Sequence, residues 1–259
     1  MPTEQWSIYM NTGDTAWVLA STALVLLMTP GLAFFYGGMT RAKSTLNMMM
    51  MSFVTIGIVS ILWVIYGFAM AFGNDTSTSA YYGAFDLSRL SSGINTVVNN
   101  GGAYTIPVLV FSAFQLMFAV ITPALISGSI ADRTKFVTWA IFVTIWVSVV
   151  YFPVAHWVFD FGTKLKDGSI IGAGWLAAGA GILNGKGVED FAGGTAVHIN
   201  AGAAALALSI VLGRRVGWRR EPMRPHNIPL VLIGAGLLWF GWFGFNAGSA
   251  LGANGMAGL

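Results

Sequence analysis

The sequence predicts an all-α polytopic membrane protein with six transmembrane helices, and three observations carry that reading. Of 259 residues, 56% are hydrophobic and only 9% are charged, where a soluble domain has about 25% charged residues. Six stretches contain no Asp, Glu, Lys or Arg, and each is long enough to cross the hydrocarbon layer as a helix, which takes roughly 20 apolar residues. Every basic residue lies between those stretches, most of them on one side.

The spans follow in order. Residues 16–36 are interrupted only by Pro30 and Gly31, which a spanning helix tolerates because neighbours re-satisfy the freed backbone groups. Residues 45–72 include the run Met48–Met51, whose adaptable side chains suit lipid-facing or gap-filling positions. Residues 105–131 carry a lone Gln115 between Phe114 and Phe118; that amide is expected to find a partner inside the bundle. Residues 136–159 contain Pro153 and His156, residues 191–213 are rich in Gly and Ala, and residues 227–251 alternate aromatics with Gly. Lipid satisfies no backbone N–H or C=O, so these runs read as helices, and the alternating segments of a barrel are absent. Residues 1–259 are expected to form one membrane domain.

The connections set the orientation. Arg41 and Lys43, Arg133 and Lys135, and Arg214, Arg215, Arg219, Arg220 and Arg224 fall on one side; Arg89, Lys164, Lys166 and Lys186 fall on the other, in two long polar loops. The richer side is expected to be cytoplasmic, with the N-terminus outside. Residues 1–15 hold Glu4 and Asp14 and no basic residue, so no cleaved signal peptide is expected. This composition excludes a disordered chain, a coiled coil and a free-standing soluble enzyme. With no cysteine there is no disulfide frame and no thiolate metal site. No paired carboxylates, nucleophile–base couple or cofactor loop appears, so an enzyme is not expected. The stretch around Gly185–Lys186 lacks the residues of a phosphate loop, Asn74-Asp75-Thr76 is a chance-level glycosylation triplet, and Gly244-xxx-Gly248 is a common helix-contact pattern.

The informative segment is Asp190-Phe-Ala-Gly-Gly-Thr-Ala-Val-His198-Ile-Asn200. Asp190 stands where a polar loop meets an apolar run, a place for capping the free N–H groups of a first helical turn. It is either a cap alone or a cap that also shapes a cation site. His198 lies about two turns deeper, with Gly194 and Gly202 a turn to either side, so close helix packing should wall it off from lipid. An ionisable group inside a span is a functional candidate; a buried histidine bonded to a carbonyl is the structural alternative. Zinc is not expected, as no further ligand lies one turn away. The stretch Leu238-Trp-Phe-Gly-Trp-Phe-Gly-Phe-Asn-Ala-Gly-Ser-Ala250 reads as either a packing face or an interfacial belt.

The segments PGLAFFYGGMTRAKS (30–44), FQLMFAVITPALISGSIADR (114–133), DFAGGTAVHINAG (190–202) and RPHNIPLVLIGAGLLWFGWFGFNAGSA (224–250) together resemble the ammonium transporter (Amt/Mep/Rh) family, most closely its bacterial Amt branch. That fold has two five-helix inverted repeats, which place the substrate path at their interface, and a final helix. The resemblance implies that this chain holds the first five-helix repeat and the first helix of the second, as the N-terminal part of a longer parent. It also implies that Phe118 and Phe245 are the paired rings closing the outer end of a pore, that Asp190 organises an outer recruitment site, and that Ser249 contacts the incoming cation. His198 matches the first of two pore histidines, and Trp242 matches an aromatic lining the middle of the path beside Phe114 and Gln115. Where many relatives carry a vestibule Trp, counting from Pro153 gives Phe159, a weaker cation–π partner; Trp175 is the other candidate.

The implied activity is movement of ammonium or ammonia, with methylammonium as an analogue, across a cell membrane. Transferring a bare cation into a low-dielectric interior costs on the order of 20 kcal/mol in the Born limit. Ammonium escapes that cost by shedding a proton, and neutral ammonia can then pass an apolar path lined by imidazoles. The alternatives are an ammonium sensor, which binds without transport, and an inactive fragment. The resemblance further implies a homotrimer in the lipid bilayer and a PII-type signalling protein at the face carrying Arg214, Arg215, Arg219, Arg220 and Arg224. It implies no cofactor, no metal and no nucleic acid.

Overall fold

The computed structural model describes residues 10–73, 79–83, 90, 96–99, 103–177, 187–215 and 217–259. Asn74-Asp75-Thr76, Arg89, Gly185 and Lys186 lie outside the described residues. Among the described residues six helices are long and apolar enough to cross a membrane: α1 (Thr12–Met39), α2 (Ala42–Phe72), α3 (Val108–Ile130), α4 (Phe136–Phe159), α5 (Gly194–Leu212) and α6 (Ile228–Gly248). A short α7 (Gly255–Gly258) follows. Two small antiparallel pairs sit in the polar loops, β1 (Val97–Asn99) with β2 (Ala103–Pro107) and β3 (Thr163–Lys164) with β4 (Ile170–Ile171).

Helix ends differ from the uncharged runs for identifiable reasons. α1 starts at Thr12, not residue 16, because the Asn11 side chain accepts the Asp14 N–H at 3.0 Å and a carboxylate in the first turn suits the positive end of the helix dipole. A rule that stops at charge misses that turn. α3 starts at Val108, not residue 105, because Thr105–Pro107 pair in β2 and an apolar strand has the same composition as a helix. α6 starts at Ile228, where Asn227 caps the Leu230 N–H at 2.9 Å. It ends before Leu251, whose φ is 53°.

α1 and α6 pack backbone to backbone. A Cβ on Gly234 would sit 2.3 Å from the Phe35 nitrogen, and one on Gly244 would sit 2.8 Å from the Ser21 carbonyl. Only glycine permits this approach. α3 is the most buried of the six helices and α5 and α6 are the least. Trp63 donates to Ser112 Oγ at 3.1 Å and packs against Phe68, Phe72 and Phe152, while Trp139 donates to the Met51 carbonyl at 2.7 Å. The methionine run divides: Met48 and Met51 are buried and Met50 is exposed.

The two ends of the bundle are chemically distinct. At one, Asp132 meets Arg215 at 2.7 Å and Arg41 at 3.8 Å, and the Asn227 N–H reaches the Gly38 carbonyl. At the other, Asp14 accepts the Ala253 N–H at 2.8 Å and Asn99 bonds the Lys164 backbone. His156 is buried at this second end, its Nδ1 3.1 Å from Asp160 and its Nε2 3.0 Å from the Ser79 carbonyl.

Candidate functional site

The candidate site lies at the end opposite the arginines. A cavity of about 250 Å³ is bounded by Gln115, Phe118, Phe159, Asp190 and Ser249, with Tyr104, Phe111, Phe161, Phe191, Ala250, Leu251 and Met256 completing its wall. Residues from α3, α4, the loop before α5 and the end of α6 thus converge there. Ser249 Oγ donates to the Phe245 carbonyl at 2.8 Å. A hydroxyl that spends its proton this way keeps lone pairs for accepting from a ligand N–H.

The local fold before α5 is built around Asp190. Its carboxylate accepts three backbone N–H groups: Gly193 at 2.5 Å, Thr195 at 2.7 Å and Ala196 at 2.9 Å. Gly193 has φ 99°, and a Cβ there would lie 2.8 Å from Val197 Cγ2, so glycine is required. The first turn of α5, Gly194–Ile199, is π-helical, and the His198 N–H bonds the Gly193 carbonyl. π turns are rare and often accompany functional positions. Asp190 is therefore a cap, and it also lines the cavity.

Behind the cavity runs a chain of rings. Phe114 packs on Phe118 with centroids 4.9 Å apart, and Phe118 on Phe245 at 4.5 Å. Phe245 in turn contacts His198 at 5.7 Å and Trp242 at 5.5 Å. The imidazole stacks on the Trp242 indole at 5.6 Å, with 4° between planes. Phe118 and Phe245 are both almost fully buried, so this pair separates the cavity from His198.

His198 is half-buried and Trp242 is 40% exposed, since the described helices cover one side of the α5–α6 pair. Other expectations need correction. Gln115 faces the cavity in place of a partner in the bundle. Trp175 is not on the cavity wall; it packs against Trp157 and Tyr81, and its indole N–H is buried without a partner. Phe159 is the ring that reaches the wall. Arg215 belongs to the Asp132 ion pair and is not a free surface cation, whereas Arg214, Arg219, Arg220 and Arg224 are exposed. Tyr104 was not singled out by the sequence, since only the β1–β2 pairing delivers it to the wall. Burial pushes its phenol above the ordinary value, which keeps it a neutral hydroxyl.

Among the described residues no cluster of His, Cys, Asp and Glu is arranged to hold a metal ion. Comparison with known proteins gives a consistent family. A family model described as the Ammonium Transporter Family matches residues 16–259. An ammonium transporter of Mycobacterium tuberculosis (strain ATCC 25618 / H37Rv) is 56% identical over 262 residues, covering 95% of this chain and 52% of the relative. The crystal structure of Saccharomyces cerevisiae Mep2 superposes with a TM-score of 0.81 at 27% identity, covering 97% of this chain and 53% of that one. A sensor Amt protein superposes with a TM-score of 0.78 at 28% identity, over 95% of this chain and 57% of that one. The chain spans about half the length of the curated relatives it matches. Over nearly all of its own length, in its motifs and in its helical architecture, this chain belongs to the ammonium transporter family.

Proposed function

We propose that this chain supplies the entrance and the first half of the path through which ammonium is received and ammonia crosses a membrane. The observation that carries the reading is the order of groups along the bundle: a cavity with Asp190, Ser249 and Phe159, then the Phe118–Phe245 pair, then His198 stacked on Trp242. Ammonium donates an N–H to Ser249 Oγ, and Phe159 and Phe118 present ring faces to the cation. Asp190 adds a negative charge at the mouth, attenuated by its three N–H partners. Among the described residues, the spans that carry the rings and His198 hold no carboxylate to balance a cation beyond the rings, so the species that reaches His198 is neutral ammonia, and the imidazole nitrogens serve as hydrogen-bond partners and as a path for the proton.

The open faces of α5 and α6 border this path, and half of the family's length is represented. We therefore read the path as closed by further helices of the assembled transporter, with the arginine-rich end in the cytoplasm. Trimer assembly and contact with a PII-type protein belong to the same reading, with Arg214, Arg219, Arg220 and Arg224 as the exposed arginines for the latter. The experiment is methylammonium uptake into proteoliposomes. Residues 1–259 alone are expected to give none, and the full assembly to give uptake that His198→Ala abolishes or strips of selectivity. Uptake by residues 1–259 alone rejects the half-path, and wild-type uptake with unchanged selectivity in His198→Ala removes the imidazole from the mechanism. Similarity to a sensor Amt protein favours one second reading, in which the same cavity reports ammonium; saturable binding with no uptake by the assembled protein would decide for it.

A further inference from the structure

At the end of the bundle opposite the arginines lies an ion pair that the ammonium path does not use. His156 and Asp160 are both fully buried and stand at i and i+4 across the last turn of α4. The imidazole faces acceptors on both sides. Its Nδ1 is 3.1 Å from Asp160 Oδ2 and 3.2 Å from the Ala71 carbonyl of α2, and its Nε2 is 3.0 Å from the Ser79 carbonyl. A neutral imidazole has one donor nitrogen and one acceptor nitrogen. The ring therefore satisfies this set only with a proton on each nitrogen, and Asp160 balances the charge. Burying such a pair is expensive, and apolar residues of similar volume often give equal or greater stability. What the pair supplies is direction.

Asp160 is fixed in backbone and side chain alike. Its Oδ1 accepts the Gly162 N–H at 3.0 Å, and its carbonyl accepts the Gly174 N–H at 2.8 Å. A Cβ on Gly174 would collide with the His156 carbonyl, so the returning loop lies directly on the helix end. Asp160 itself is extended, with φ −90° and ψ 99°, and side chains alternate in direction along an extended segment. With the Asp160 carboxylate turned inward to His156, Phe159 and Phe161 turn the other way. Both rings are on the wall of the ammonium cavity, whereas His156 and Asp160 are not. We propose that the His156–Asp160 pair positions this aromatic wall, holding Phe159 and Phe161 so that their rings meet the incoming cation. Neither member of the pair touches the substrate. The proposal rests on the recruitment role of Phe159 given above, and adds that a buried charge pair behind the ring sets how well it recruits.

The test uses the full assembly as wild type, Asp160→Asn, Phe159→Ala and the double variant. Asp160→Asn keeps the side-chain shape but removes the charge that balances the imidazole. Thermal unfolding in detergent checks that it is folded; His156→Gln, which keeps a donor for the Ser79 carbonyl, takes its place if it is not. Two quantities are read: the half-saturating concentration and maximal rate of methylammonium uptake in proteoliposomes, and the fluorine NMR resonance of a trifluoromethyl label on the Phe159 ring. Asp160→Asn is expected to shift or split the resonance. It should also raise the half-saturating concentration about two- to fivefold, the weakening of one cation–π contact, with the maximal rate retained. In the Phe159→Ala background it should add nothing, because both changes then act through one ring. An unmoved resonance in the folded variant overturns the proposal. So does a rise of the same size in the Phe159→Ala background, a loss confined to the maximal rate, or a half-saturation point that Phe159→Ala moves and Asp160→Asn does not. A moved resonance with a half-saturation point that neither variant changes upholds the positioning and rejects Phe159 as a recruitment residue, which separates the two readings.

Discussion

At the scale of single residues, position and chemistry are separable. Asp190 takes three backbone N–H groups, and hydrogen bonds to a charged acceptor contribute about 1.5–3 kcal/mol each at most. Asp190→Ala should therefore lower the thermal unfolding midpoint in detergent as well as uptake; an unchanged midpoint would show that the cap is dispensable and that its role is only electrostatic. Phe159 lines the same cavity but contributes no charge. Exchanging it for Trp supplies the stronger cation–π face, so Phe159→Trp should lower the half-saturating methylammonium concentration by a few-fold, about 0.5–1 kcal/mol. A half-saturation point that does not move would exclude this ring from recruitment. His156 shows the reverse case: completely buried and bound to Asp160 and Ser79, it ties a helix end to a loop and borders no part of the path.

At the scale of elements, the α1–α6 contact depends on missing side chains. A Cβ at Gly234 would meet the Phe35 nitrogen at 2.3 Å and the Gly31 carbonyl at 2.6 Å, and backbone cannot swing aside; a Cβ at Gly236, one half-turn on, meets nothing within 4 Å. Gly234→Ala should cost ~1–3 kcal/mol of stability through overpacking, whereas Gly236→Ala should be neutral or gain up to ~1 kcal/mol from helix propensity. Denaturation of both variants in the same detergent checks the pair, and similar midpoints would mean the two helices do not pack as described. The π turns at Trp63–Gly67, Val147–Tyr151 and Gly194–Ile199 mark places where the regular ladder is interrupted, and the third of them carries His198.

At the scale of the whole molecule, Asp132 joins three connections that are distant in sequence. Burial would raise its carboxyl, but hydrogen bonds from Ser44 and Arg215 and the charges of Arg215 and Arg41 outweigh that and hold it below the usual carboxylate range. A depressed folded-state value means that this contribution to stability is complete above the unfolded carboxyl, about 3.9, and is lost as pH falls through the folded one. Asp132→Asn should thus be less stable than wild type at neutral pH, and the two should converge as pH drops well below 4. A gap that persists undiminished in acid would place the stabilising role of Asp132 outside its charge.

Membrane class and the number of spans follow from composition and from the uncharged runs, because the cost of burying charge in lipid acts on each segment independently of its neighbours. The motif around Asp190 also exposes its capping role, since an Asp before a helical run acts locally. Helix ends were not legible in the uncharged runs: Asn227, read as part of a span, is the cap before α6, and Asp14 and Thr105–Pro107 show that an uncharged run does not mark its own boundaries. What the tertiary structure alone decided is which distant groups meet: Phe159 and not Trp175 at the cavity, Tyr104 delivered by a strand, Arg215 withdrawn into an ion pair, and His198 stacked on Trp242 with one side open. These depend on packing between helices far apart in the chain, where energies of single contacts are small and only the sum over facing surfaces selects a neighbour.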